Sequence, residues 1–120
     1  MSRPVFFLLC AGLVGCLIGC SSNGPSPQYL IGVSQCSDDA WRQRMNYELQ
    51  RELIFHPELT LHTRHASDNS EIQCQQIDSF IAERVDLLIV SPNEAEEVKP
   101  AVSRAYDAGI PVIVADRQVS

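Results

Sequence analysis

A chain of 120 residues has room for one ordinary domain. Fifteen acidic side chains against nine basic ones leave a formal net charge of −6, and no basic run or aromatic-basic interleaving occurs, which argues against nucleic acid as a partner. The same composition carries no Gly-rich phosphate loop, no nucleophile elbow and no metal-ligand spacing, so nothing in it equips an enzyme, a metal centre or a cofactor site.

The first twenty residues read as an address. Arg3 precedes an apolar run from Val5 to Ile18 that is shorter than the roughly 20 residues a bilayer span needs, yet suits the apolar region of a secretory signal. The run closes on Leu17-Ile18-Gly19-Cys20, which resembles the lipobox of bacterial lipoproteins, where the cysteine is lipidated and becomes the new N-terminus. Leu13-Val14-Gly15-Cys16 fits almost as well, and an uncleaved anchor helix is the bland alternative. Cys20 is preferred because Ser21-Ser22-Asn23-Gly24-Pro25-Ser26-Pro27 follows it with the composition of a flexible tether. The expected organisation is a lipoprotein-type signal peptide over 1–20, a tether over 21–28 and a domain over 29–120, held in the periplasm by a lipid anchor in the membrane. With Cys20 at the mature end, Cys36 and Cys74 remain; they could pair, but two separate half-buried thiols are the plainer expectation.

Tyr29 to Ser34 is a short apolar run and reads as a central strand. Ser37 or Asp38 then caps a helix whose apolar positions Trp41, Met45, Leu49 and Leu53 lie four apart and which ends near His56-Pro57. Leu59, Leu61 and Thr63 alternate with polar neighbours, the mark of a strand with one wet face at a sheet edge. Asp68 with Glu71 looks like a capping box opening a helix through Cys74, Ile77, Phe80 and Ile81. Leu87-Leu88-Ile89-Val90 is apolar at every position, as a strand buried on both faces is. Asn93 with Glu96 repeats the capping pattern, Val98, Ala101, Val102 and Ala105 form an inward stripe, and Gly109 stops that helix before the strand Val112 to Ala115.

The order βαβαβαβ predicts an α/β fold, a doubly wound parallel sheet with strand order 2-1-3-4. That order leaves the first helix alone on one face and the third and fourth strands uncovered beside it, so the chain reads as the front part of a larger protein. Ligands of such sheets settle outside the carboxyl ends of the strands, where Gln35, Ser37, Asp38 and Trp41 follow the first strand and Asp116 and Arg117 close the last. Acids at a helix start are by default caps, a Trp at helical spacing is by default core, and Asp116-Arg117 could be a surface ion pair. Together they suit a sugar: an indole stacks on its C–H face while carboxylates and a guanidinium bond its hydroxyls. His56, His62 and His65 do not form a metal set, since the last two lie on opposite faces of a strand.

From Tyr29 onward the chain resembles the N-terminal lobe of the type I periplasmic sugar-binding proteins of the ribose-binding class, including the strand-closing Asp116-Arg117. The resemblance implies Asp38, Trp41, Asp116 and Arg117 as sugar contacts. Ribose binders often have Asn and two phenylalanines where this chain has Asp38, Ala40 and Trp41, so one aromatic wall would be missing. The segments IGVSQCSDDAWRQRM, VDLLIVSPNEA and GIPVIVADR are more similar still to the periplasmic sensor domains of sugar-detecting hybrid two-component histidine kinases. That implies a partial N-terminal lobe, no enzymatic activity of its own, a monosaccharide or short oligosaccharide as ligand, and a C-terminal lobe of the same protein as partner. The alternative is the solute receptor of a sugar ABC transporter. A phosphoacceptor receiver domain fails because strand three ends in Ser91-Pro92-Asn93 instead of an aspartate, and a sugar-responsive repressor fails because a signal sequence stands where the DNA-reading helices belong.

Overall fold

The structure, a computed structural model, describes residues 28–116. Four strands alternate with three helices: β1 (Tyr29–Gln35), α1 (Ala40–Glu52), β2 (Leu59–His65), α2 (Ser70–Glu83), β3 (Leu87–Ser91), α3 (Ala95–Asp107) and β4 (Val112–Val114), with a 3-10 turn, Leu53–Phe55, continuing α1. All neighbouring strands are parallel and their order is β2-β1-β3-β4. This is the expected topology, and right-handed crossovers put α1 on one face and α2 and α3 on the other.

Register decides which side chains meet which layer. Gly32 lies beside Leu88, and Leu88 beside Val112, so these residues share the face covered by α2 and α3. There Ile77 and Phe80 of α2, Leu88 and Val90 of β3, and Val98, Ala101 and Ala105 of α3 form the core, all fully buried. Burying a large apolar side chain contributes about 1.5–3 kcal/mol, so this layer holds the domain together. Gly32 is required by that packing: a Cβ there would stand 2.9 Å from Phe80 Cδ1 and 3.2 Å from Leu88 Cδ1. On the opposite face β3 is only half-buried at Leu87 and Ile89, and Ile113 of β4 is 51% exposed. The strand pattern apolar on both faces is thus covered on one, as the 2-1-3-4 order with a lone first helix requires.

Helix boundaries differ from the sequence reading by a residue or so, for local reasons. Asp39, not Ser37 or Asp38, caps α1, its carboxylate accepting from the backbone N–H groups of Trp41 and Arg42. Asn69, not Asp68, caps α2, its side-chain oxygen accepting from the Ile72 N–H at 3.0 Å, while Asp68 sits in the left-handed region at φ 59°. Glu94 takes the cap position of α3, while the Asn93 amide turns back to the Asp68 carbonyl at 3.2 Å and the Ser70 hydroxyl at 3.0 Å. Gly109 does end α3: at φ 83° it lets its own N–H reach the Tyr106 carbonyl and that of Ile110 reach Ala105, satisfying two end carbonyls. Arg84 ends α2 in the same way at φ 56°, without glycine's freedom. Cys36 and Cys74 are free thiols, Cys36 buried and Cys74 half-buried with its Sγ directed at the Glu97 carbonyl.

Candidate functional site

Because β3 lies between β1 and β4, residues that follow β1 and β4 can meet only by reaching across the end of β3. Arg42 makes that reach. It enters the first turn of α1, three residues after the cap, and its side chain is only 10% exposed. One terminal nitrogen donates to Asp39 Oδ2 at 2.6 Å; the other donates to Asp116 Oδ2 at 2.8 Å and lies 3.5 Å from the Ser91 hydroxyl. The guanidinium therefore ties the turn after β1 to the ends of β3 and β4.

The charges fit this arrangement. Asp39 is held well below the usual carboxylate range, at about 2, first by the Arg42 backbone N–H, then by the Ser37 hydroxyl and the Arg42 guanidinium. Burial works against the Arg42 charge, but its bond to Asp39 and the surrounding negative charges outweigh it and raise its pKa above the ordinary arginine value. Asp116 sits at φ 75°, a left-handed turn that ends β4 and swings the carboxylate toward Arg42, with a third of its side chain open to solvent. Trp41 is 53% exposed, and the Arg42 Cζ lies 5.4 Å from its ring centroid. A solvent-facing indole thus stands beside an ordered carboxylate and a buried cation. Arg42 Nε is buried without a partner, although every other bond of this guanidinium is directed at an acid or a hydroxyl.

The strand ends are tied together by Gln73 of α2, which is fully buried: its amide donates to Ser34 Oγ at 3.2 Å and the Ser91 carbonyl at 2.9 Å, and accepts from the Asn93 N–H at 2.8 Å. Such a network pins the carboxyl ends of β1 and β3 relative to one another.

Of the residues expected at this site, Trp41 and Asp116 are brought together through Arg42. Asp38 is 61% exposed and lies 3.9 Å from His65 Nδ1, which is also 3.2 Å from the Ser37 carbonyl. Arg117 and Cys20 lie outside the described residues. Gln35 and Ser37 turn inward: the Gln35 amide donates to Asn46 Oδ1 at 2.9 Å, and Ser37 Oγ donates to Asp39. Sequence reasoning missed Arg42, Ser91 and His65. The only signal for Arg42 was its place three residues after an acid at a helix start, a spacing usually filled by a solvent-facing pair. No group of three or more potential metal ligands gathers among the described residues.

Residues 31–120 match the family described as periplasmic binding protein domain. Among solved structures, the chain is similar to the fructose-binding periplasmic domain of a hybrid two-component system, with 45% identity and a TM-score of 0.75 over 78% of this chain and 31% of that one. It is also similar to a solute-binding protein of an ABC transporter from Bacillus halodurans C-125 with bound myo-inositol, at 33% identity and TM-score 0.72 over 79% of this chain and 33% of that one. Among curated proteins, it is 30% identical to the galactofuranose-binding protein YtfQ of Escherichia coli (strain K12) over 82% of this chain and 31% of the relative. The chain spans about a third of the length of these proteins.

Proposed function

The chain belongs to the periplasmic binding protein domain family, and we propose that it forms the N-terminal part of a sugar-recognition lobe in the periplasmic sensor of a hybrid two-component system. The observation that carries this reading is the Arg42 bridge, whose guanidinium bonds Asp116 and lies 5.4 Å from the Trp41 ring centroid at the carboxyl ends of the strands. A monosaccharide is the ligand class that uses all of it. The indole takes the C–H face of a ring, Asp116 accepts from ring hydroxyls, Asp38 accepts at the rim, and Arg117 donates from the residue after Asp116. Arg42 holds the Asp116 carboxylate in place before the sugar arrives, so less ordering is left for binding to cost. The role is recognition and not catalysis, and no cofactor takes part. Closure of a second lobe of the same protein over the sugar then biases the output by stabilising one of two states.

Anchorage at Cys20 through an acyl chain is part of this proposal, supported by Leu17-Ile18-Gly19 before it and the Ser/Pro/Gly stretch after it. The second reading is the receptor of a sugar ABC transporter, favoured by the likeness to the myo-inositol-bound protein. The higher identity to the two-component domain favours the sensor. Calorimetric titration of the whole protein with a panel headed by D-fructose, myo-inositol and D-galactose tests the common core of both. Saturable binding of at least one is expected, and silence across the panel with folded protein would overturn the sugar reading.

A further inference from the structure

The end of the domain opposite the sugar site carries a second feature. α1 is 13 residues long, about 20 Å, so the turn that follows it lies at the amino ends of the strands, far from Trp41. That turn presents Ile54 at 75% and Phe55 at 72% exposure, the most exposed large apolar pair in the described chain. Tyr29, at the start of β1, is 44% exposed at the same end, its N–H bonded to the Glu58 carbonyl just past the turn at 2.8 Å. Tyr47 extends the patch up α1, seven residues before Ile54 and so on its face, at 57% exposure.

The chain before Tyr29 decides what can cover this patch. Eight residues, 21–28, separate it from Cys20. Fully stretched they span at most about 28 Å. An anchored domain on so short a lead keeps the amino end of its sheet at the membrane surface, and there the exposed apolar turn faces lipid. Exposed aromatic and aliphatic side chains on one end of a peripheral domain bury in the headgroup region. The surrounding charges, Arg51, Glu52 and the His56 and Glu58 pair at 3.2 Å, contain no basic cluster, so the contact works by apolar burial and not by attraction to anionic lipid.

Resting on the anchorage proposed above but not on the sugar reading, we propose that Ile54, Phe55 and Tyr29 form a membrane-seating surface that orients the domain with its sugar site pointing away from the bilayer. Hydrogen–deuterium exchange tests it on the whole protein, anchored in phosphatidylethanolamine and phosphatidylglycerol vesicles and compared with a soluble form that begins at Ser21. Amides of residues 52–58 should exchange several-fold more slowly on vesicles, high salt should leave that difference in place, and an Ile54→Ser, Phe55→Ser double variant should lose it. Equal exchange in both forms, protection already present in the soluble form, or protection that survives the double variant overturns the proposal. So does a whole protein that fails to float with vesicles. Titration of the double variant with sugar should match the parent, which separates failure here from failure of the sugar reading.

Discussion

Replacing Arg42 by methionine keeps the buried stem and removes the charge. Three consequences can be weighed from the geometry. The bond to Asp116 at 2.8 Å is charge-assisted, a class worth about 1.5–3 kcal/mol. Asp116 is 36% exposed and rehydrates when released, so the loss falls to roughly 1–2 kcal/mol. Relief of the buried guanidinium returns part of that, since desolvating a charge opposes folding. Asp39 keeps its backbone cap bonds and loses little. The net cost to the fold is therefore about 1 kcal/mol, a melting shift of roughly 2–4 °C for a domain of 150–250 residues. Binding should suffer more, because a carboxylate that wanders must be reordered by the sugar: a loss of about 10- to 100-fold, or roughly 1.4–2.7 kcal/mol. Calorimetric titration with the cognate sugar and thermal melts of the free proteins separate the two effects. Parent-like affinity with an unchanged melt would refute the bridge as the organiser of the site.

Trp41→Ala should weaken sugar binding by at least the ~1 kcal/mol of a lost stacking face while leaving the melting temperature unchanged, since the ring is half open to solvent; an earlier melt with unchanged affinity would make Trp41 structural. Arg84→Gly should stabilise the protein by about 0.5–1 kcal/mol, because a non-glycine residue at φ 56° carries a left-handed penalty of about 1–2 kcal/mol and glycine's flexibility offsets only part of it; a drop in denaturant midpoint would contradict this. Asp39 has a folded pKa of about 2 against an ordinary 3.8, so its stabilisation is full above about pH 4 and disappears as pH falls through 2. The stability gap between parent and Asp39→Asn should accordingly close across that window, and a gap constant from pH 5 to pH 2 would show the cap is not ionic. Residues 21–120 produced alone should associate, since Ile113 and the edge of β4 stand open beside half-buried Ile89; a monomer by light scattering would refute that.

The architecture was legible because alternating apolar runs and helical stripes set both element type and sheet order. Leu87 to Val90 and the stripe Val98, Ala101, Ala105 needed no tertiary information to be placed. Caps were legible only to within a residue. Asp38 and Asp39 are chemically equivalent in sequence, and only the turn's backbone decides that the second accepts the helix N–H groups. Asn69 takes the cap expected of Asp68, whose left-handed φ no local pattern announces. The candidate site was half legible: strand-end position placed Trp41 and Asp116 near one another, but Arg42 meets Asp116 across 74 residues of sequence, and a charged residue on a helix reads as solvent-facing until the fold buries it.

A crystal structure of the whole protein with its bound sugar tests the central claim most directly. The sugar should lie against the Trp41 ring with its hydroxyls on Asp116 and Arg117, and the Arg42 bond to Asp116 should be intact. A sugar seated elsewhere, or one whose contacts leave Asp116 and Trp41 untouched, would contradict it.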